Sequence, residues 1–367
     1  FGCPPMRTPF IAFKKTTCSI LTVLCLFLSP IALSLKGADW NWHQEFPWVY
    51  NNDESDWHYW RAGTDGNFYL WKNKLQKWYQ FDSINKQWSA SSSSSASSSQ
   101  VETGTFNLSL SHGGLTREYI LYVPSSYNGS TQVPLLFNFH GFGGTSSAHM
   151  TSADMRTLSE SQIFLLVYPQ GSSMSGYSHW NAAQLGGDNK SSADDVGFVE
   201  AMITSISSSY QVNSNRIYAC GYSNGGMMSY FLGKSISNKI AAIGSVSGTM
   251  LEGNPDPANP VPMIIIHGTS VSVVPYLGNS DYPAIPTVLT YWANNNGANS
   301  TPVTTSLTSG VTSVEKSVYS DSGGTGWVEH YKVNAGGHDW FNLNLSGSDT
   351  NQLIWNFFSQ HGLDGPL

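Results

Sequence analysis

Residues 101–367 are predicted to form an α/β fold built on a doubly wound, mostly parallel sheet. Three observations support this. Apolar runs recur along the region ("YILYV", "PLLFNF", "IFLLVY", "RIYACGY", "AAIGSVSG", "PMIIIHG"), and several are continuous, as strands buried on both faces of a parallel sheet require. A helical stripe lies between two of them: Val196, Val199, Met202, Ile203 and Ile206 follow the capping pattern Ser192-x-x-Asp195. Strand and helix therefore alternate, which a sheet covered on both faces explains most simply. A last helix is expected over roughly Asn351 to His361.

The segment before this region has a different character. Residues 39–88 hold eight of the thirteen tryptophans, and "WVYNNDESDWHYW" and "FYLWKNKLQKWYQFD" echo each other. Aromatic alternation broken by polar turns is a hairpin pattern, so a small β module of two or three hairpins is expected. Its rings either form the module's own core or lie on a polymer surface. "SASSSSSASSSQ", residues 89–100, reads as a flexible Ser-rich linker.

Residues 1–38 read as a signal peptide and leader. Arg7, Lys14 and Lys15 precede the apolar run "CSILTVLCLFLSPIAL" and the small-residue site Ala32-Leu33-Ser34. The run is too short for a membrane span of about 20 residues. The expectation is therefore a secreted, extracellular or periplasmic protein with no stable membrane insertion. Cys3, Cys18 and Cys25 fall in the leader, which leaves Cys220 alone and no internal disulfide. Charged residues make up 11% of the chain and the formal net charge is −7. There is no basic stripe, so a nucleic-acid partner is not expected. No metal-ligand spacing and no phosphate-cradling loop appears, so no cofactor and no metal are expected.

"GYSNGG", Gly221 to Gly226, lies between the strand "RIYAC" and the helical "GGMMSYFLGKS". A Gly-x-Ser-x-Gly between strand and helix presents its serine on a sharp turn at the sheet's edge. Ser223 is the expected nucleophile. "HGFGGT", His140 to Thr145, follows "PLLFNF"; a loop there can aim backbone N–H groups at an oxyanion. The expected donors are the amides of Phe142 and Asn224, with His140 a structural residue of the loop. "NAGGHDWF" places His338 late in the chain, where the order serine-then-histidine expects the general base. His267, at a strand end, is expected to bond backbone instead.

The region resembles the polyhydroxybutyrate depolymerase and feruloyl esterase group of α/β-hydrolases. The resemblance rests on "GGLTREYILYVPSSY", "HGFGGT", "YPQG", "HWNAA", "DDVGFVEAMI", "RIYACGYSNGGMMSYFL", "AAIGSVSG", the "HGT" and "VVPY" stretches and "GGHDW", spread over most of residues 113–345. It implies secreted ester hydrolysis, often of polyesters or feruloylated plant polysaccharide. It also implies that Trp180 and Trp340 flank the nucleophile, where they either contact substrate or pack in the core.

One stretch departs from the group. Its members resemble His-Gly-Thr-Ala-Asp-Pro where this chain reads His267-Gly268-Thr269-Ser270-Val271-Ser272. Val271 takes the position of the triad acid and cannot accept an imidazole N–H. Three possibilities follow. An acid from "TMLEGNPDPANP" substitutes, Asp256 tentatively, with Glu252 its competitor. Alternatively Ser270, Ser272 or a water orients the histidine weakly, or the site only binds. The expected function is a secreted serine esterase acting by an acyl-enzyme on a polymer. A polyhydroxyalkanoate-type or other polyester comes first. A feruloyl or acetyl-xylan ester of plant polysaccharide and an impaired binding protein are the alternatives. An insoluble polyester or polysaccharide surface is the expected partner.

Overall fold

The computed structural model describes residues 40–42, 48–51, 56–62, 68–72, 77–82, 87–90, 101–183 and 191–367. The leader at 1–38 lies outside them, as do residues 91–100 of the linker. The chain divides into two compact units, Phe1–Ser99 and Gln100–Leu367.

In the first unit β1 (Trp40–Trp42), β2 (Trp48–Asn51), β3 (Asp56–Ala62), β4 (Phe68–Lys72), β5 (Lys77–Asp82) and β6 (Gln87–Ala90) form a six-stranded sheet in sequential order. Each strand pairs antiparallel with the next. Strand β6 runs two residues into the serine-rich stretch, because "SA" continues its pairing with β5.

The second unit holds a ten-stranded sheet. Its strands are β7 (Gly104–His112), β8 (Leu115–Val123), β9 (Val133–Phe139), β10 (Leu165–Pro169), β13 (Val212–Tyr222), β14 (Ala242–Val246), β15 (Met263–Gly268), β16 (Val303–Ser309), β17 (Thr312–Ser320) and β18 (Gly326–Val333). A separate hairpin pairs β11 (Ser172–Met174) with β12 (Tyr177–His179). The spatial order is β16-β17-β18-β15-β14-β13-β9-β10-β8-β7. Strands β10, β9, β13, β14, β15 and β18 run parallel. The antiparallel pairs β7–β8 and β16–β17 flank them.

Strands β9, β10, β14 and β15 are buried along their whole length, which is why they read as unbroken apolar runs. Alternate side chains feed two cores, one on each face. Leu135, Phe137 and Phe139 pack with Phe198 and Met202 of α3 (Asp195–Ser209), Met228 of α4 (Asn224–Ser235) and Val288 and Trp292 of α5 (Ile285–Asn295). Leu136, Tyr218, Cys220 and Ile264 pack on the opposite face with Leu353, Ile354 and Phe358. Those three belong to α6 (Thr350–Phe358), and Met155 joins them from between the two short helices α1 (Ser146–Ser152) and α2 (Arg156–Gln162). Helix α6 ends three residues before His361, which belongs instead to a short antiparallel pairing with Pro366.

Helix α3 begins two residues after the expected capping box would place it. Asp194 caps it by accepting from the Gly197 amide at 2.9 Å. The next residue, Asp195, points inward and accepts from Arg117 Nη2 at 2.6 Å, with both side chains buried. Cys220 is a free, buried thiol, and burial pushes its pKa up, as a core residue requires. Among the described residues no helix is long and apolar enough to cross a membrane.

Candidate active site

The site forms at the carboxyl ends of β9, β13, β14, β15 and β18, the edge where open α/β sheets place their ligand crevices. At the end of β13 the chain turns sharply into α4. Ser223 sits at the turn with φ 52° and ψ −117°, a strained backbone for a residue with a Cβ. The neighbouring glycines make the turn possible. A Cβ on Gly225 would lie 2.1 Å from the Phe139 carbonyl oxygen, and one on Gly221 would lie 2.4 Å from Gly225 backbone. The turn is held by Ser223 N–H donating to Val246 O at 2.9 Å.

His338 follows β18 and meets this serine: Nε2 lies 2.9 Å from Ser223 Oγ. Several bonds set the histidine loop. Thr269 N–H donates to Val333 O and Ser270 N–H to Gly336 O, each at 2.9 Å. Thr269 Oγ1 accepts from the Ala335 amide at 2.8 Å. Two hydroxyls then hold consecutive carbonyls, Tyr222 Oη donating to His338 O at 2.6 Å and Ser247 Oγ to Asp339 O at 2.8 Å. The loop that carries Val271 thus anchors the loop that carries His338.

His338 Nδ1 is buried and has no hydrogen-bond partner among the described residues. The tentative acid Asp256 is corrected here. Its carboxylate accepts from Tyr291 Oη at 2.6 Å and lies 3.8 Å from Lys234 Nζ, so it serves a surface cluster and not the imidazole. Glu252, Ser270 and Ser272 are exposed, and none of them is bonded to Nδ1. Val271 is 4% exposed, and its side chain has no hydrogen-bond acceptor. Burial lowers the His338 pKa below its ordinary value, and neighbouring Asp339 raises it in part. His267 is buried, with Nε2 2.9 Å from Val274 O, and burial lowers its pKa to about 4.

The loop after β9 is organised by His140. Gly171 N–H donates to its Nε2 at 3.0 Å, so the ring proton sits on Nδ1 and is donated to Gly141 O at 2.7 Å. Burial lowers the pKa of this imidazole to about 4, which keeps it neutral and the pattern fixed. Gly143 N–H is used on Ser178 O and Gly144 N–H on Gly141 O. Between Gly141 and Gly143 stands Phe142, which is 51% exposed.

Trp180 is corrected as a substrate contact. It is 0% exposed, because its ring packs edge-on against Phe139 and its Nε1 donates to His140 O at 2.9 Å. Its main chain pairs with the Asn224 side chain, N–H to Oδ1 at 2.7 Å and carbonyl to Nδ2 at 3.1 Å. Trp180 therefore ties the loop of Phe142 to the helix start at Asn224, the two residues expected to supply oxyanion amides. Trp340 is half-buried, donates to Asn351 Oδ1 at 3.0 Å and packs edge-on against His149, which fixes its ring in the packing of the α6 face. The sequence reading missed Tyr222 and Ser247. Tyr222 is the variable residue of Gly-x-Ser-x-Gly, and a hydroxyl at that place was the available signal.

Among the described residues no group of three or more His, Cys, Asp or Glu is arranged to hold a metal ion.

No family model matches the chain. It is 28% identical over 264 residues to a bifunctional acetylxylan esterase/xylanase of Neocallimastix patriciarum, covering 69% of this chain and 35% of that protein. It is 28% identical over 200 residues to feruloyl esterase B of Piromyces equi, covering 51% of this chain and 37% of that protein. A probable feruloyl esterase C of Aspergillus oryzae is 27% identical over 248 residues, 66% of this chain and 83% of the relative. The chain thus spans little more than a third of the first two relatives. Among solved structures, an acetyl xylan esterase from Aspergillus awamori superposes with TM-score 0.53 at 18% identity, covering 70% of this chain and 99% of that one. The sheet order, the serine turn and this superposition show the α/β-hydrolase fold, and the chain is similar to feruloyl and acetylxylan esterases.

Proposed function

We propose that the protein is a serine esterase that removes ester substituents, feruloyl or acetyl, from plant polysaccharide. The observation that carries this reading is the 2.9 Å contact between His338 Nε2 and Ser223 Oγ on the strained turn. The relatives' names favour the polysaccharide esters over the polyester that the sequence put first.

In the proposed reaction His338 Nε2 takes the Ser223 Oγ proton as Oγ attacks the ester carbonyl. The amides of Phe142 and Asn224 hold the resulting oxyanion. Nε2 returns the proton to the departing alcohol, leaving an acyl-Ser223. A water, deprotonated by the same nitrogen, then releases the acid and restores the serine.

The absent acid shapes this chemistry. Nε2 accepts a proton only when the ring hydrogen sits on Nδ1, and Nδ1 has no acceptor among the described residues. A buried unpaired N–H costs about 1–3 kcal/mol. The ring therefore favours the tautomer with Nε2–H directed at Ser223 Oγ, which cannot act as base. A slow Ser–His dyad is expected, since a mis-set tautomer can lower rate by about 10⁴.

Labelling with a fluorophosphonate tests the nucleophile directly. The expected result is modification of Ser223, abolished in Ser223→Ala, with turnover of methyl ferulate or acetylated xylan exceeding that of polyhydroxybutyrate film. An unlabelled, inactive chain would support the impaired binding protein, which the orphan Nδ1 favours. The aromatic unit at 39–88 would hold the enzyme on insoluble polymer and raise its local concentration there. Deleting 39–88 is then expected to lower release from insoluble substrate more than hydrolysis of a soluble p-nitrophenyl ester. Equal loss on both would refute that role.

A further inference from the structure

The second unit hides most of its large rings, yet two stand in solvent beside the proposed nucleophile. Phe142 is 51% exposed and Tyr177 59%. Their rings lie 5.6 Å apart, centroid to centroid, and within 16° of parallel. Leaving rings of this size in water forgoes the burial that Phe137, Phe139 and Trp180 achieve fully.

The pair is also held rigidly and placed close to the reacting atoms. Phe142 follows Gly141, where a Cβ would lie 3.4 Å from Ser223 Cβ. Tyr177 stands at the tip of the β11–β12 hairpin, after a turn through Ser175 (φ 53°) and Gly176 (φ 85°). That hairpin is bonded to the loop of Phe142: Gly143 N–H donates to Ser178 O at 2.7 Å, and Ser178 Oγ donates to Gly144 O. The two rings therefore move with the loop that carries the proposed oxyanion donor.

We propose that Phe142 and Tyr177 form a ring-binding face that takes a six-membered ring of the ester. The shared chemistry is a stacking surface. Its negative π-faces suit the polarised C–H edge of an aromatic acid or the C–H face of a pyranose. This inference rests on the reading of Ser223 as nucleophile for its place in the reaction, but the face itself is testable by binding alone.

The test titrates ferulic acid and, separately, methyl β-xyloside against the full chain, Tyr177→Ala and Tyr177→Phe, following ligand signals by NMR. At least one ring ligand is expected to bind the full chain, with Kd raised about fivefold to tenfold in Tyr177→Ala and restored in Tyr177→Phe, the size an aromatic pair contributes. Loss with ferulic acid assigns the ring to the acyl side; loss with the xyloside assigns it to the alcohol side. The face is overturned if neither ligand binds, or if Tyr177→Ala binds both as the full chain does. Hydrolysis of triacetin, which has no ring, is measured in parallel with Ser223→Ala as control. A chain that binds a ring but leaves triacetin intact overturns the esterase reading and leaves the face standing. A chain that cleaves triacetin but fails the titration overturns the face alone.

Discussion

Tyr222 Oη donates to the main-chain carbonyl of His338 at 2.6 Å, so the residue next to the proposed nucleophile Ser223 holds the backbone of the proposed base. The two rings also lie 5.1 Å apart. Where an acid would orient the imidazole through Nδ1, this chain positions it through its backbone. Tyr222→Phe keeps the ring contact and removes only the hydroxyl. One hydrogen bond contributes about 1 kcal/mol, so kcat is expected to fall about fivefold to tenfold with KM little changed. A fall in KM-dependent binding with kcat intact would mean the hydroxyl acts on substrate and not on the base.

Val271→Asp is expected to raise activity. Val271 follows Ser270, whose amide is bonded to the histidine loop at Gly336, and the buried Nδ1 awaits an acceptor. A carboxylate there selects the productive tautomer, and an increase in kcat of roughly ten- to a thousandfold is expected. The pH profile distinguishes this from a packing effect. Burial holds the His338 pKa below its ordinary value, and activity needs the neutral ring. The acid limb of kcat/KM for the parent therefore lies below about pH 6.5. The new charge raises the pKa and shifts the limb upward. Val271→Asn has an NH2 that can donate to Nδ1 and hold the unproductive tautomer, so it should leave kcat low and the limb in place.

Where side-chain chemistry sets local backbone, the sequence was readable. Continuous apolar runs announced the buried strands, and the glycines at 221 and 225 announced a turn that any Cβ would obstruct. The pairing of Ser223 with His338 followed from chain order. What stayed hidden depends on which way a side chain turns once the strands are assembled. Trp180 stands at the site in sequence, but its ring faces Phe139 and the core. Asp256 lies in a loop of the right length, but its partner Tyr291 comes 35 residues later on α5. Phe142 drew notice for its amide alone, since nothing in "HGFGGT" says that its ring stays in water.

Trp180→Phe separates the ring's packing from its N–H. The substitution leaves the main-chain pairing with Asn224 and removes the bond from Nε1 to His140 O. That carbonyl is buried, so losing its partner costs about 1–3 kcal/mol. We expect a comparable loss of stability in urea unfolding, together with a drop in kcat of about tenfold as the Phe142 amide loosens. Unchanged kcat with the same loss of stability would confine Trp180 to the core.

Acid lability follows from five buried histidines. Burial lowers the pKa of His140, His267 and His361 to about 4 and of His149 and His330 to about 3, against about 6.5 in the unfolded chain. Between those values the unfolded chain binds protons that the fold refuses. Each histidine thus contributes stability that is fully present above pH 6.5 and is lost as pH falls towards 4. The unfolding free energy is expected to drop by several kcal/mol between pH 7 and pH 4.5, read from urea midpoints at constant ionic strength. His149→Gln should flatten that slope. Its Nε2 lies 2.8 Å from Asn138 Oδ1 inside the core, and a glutamine amide can make the same bond without titrating. A slope unchanged in the variant would show that His149 opens to solvent before it protonates.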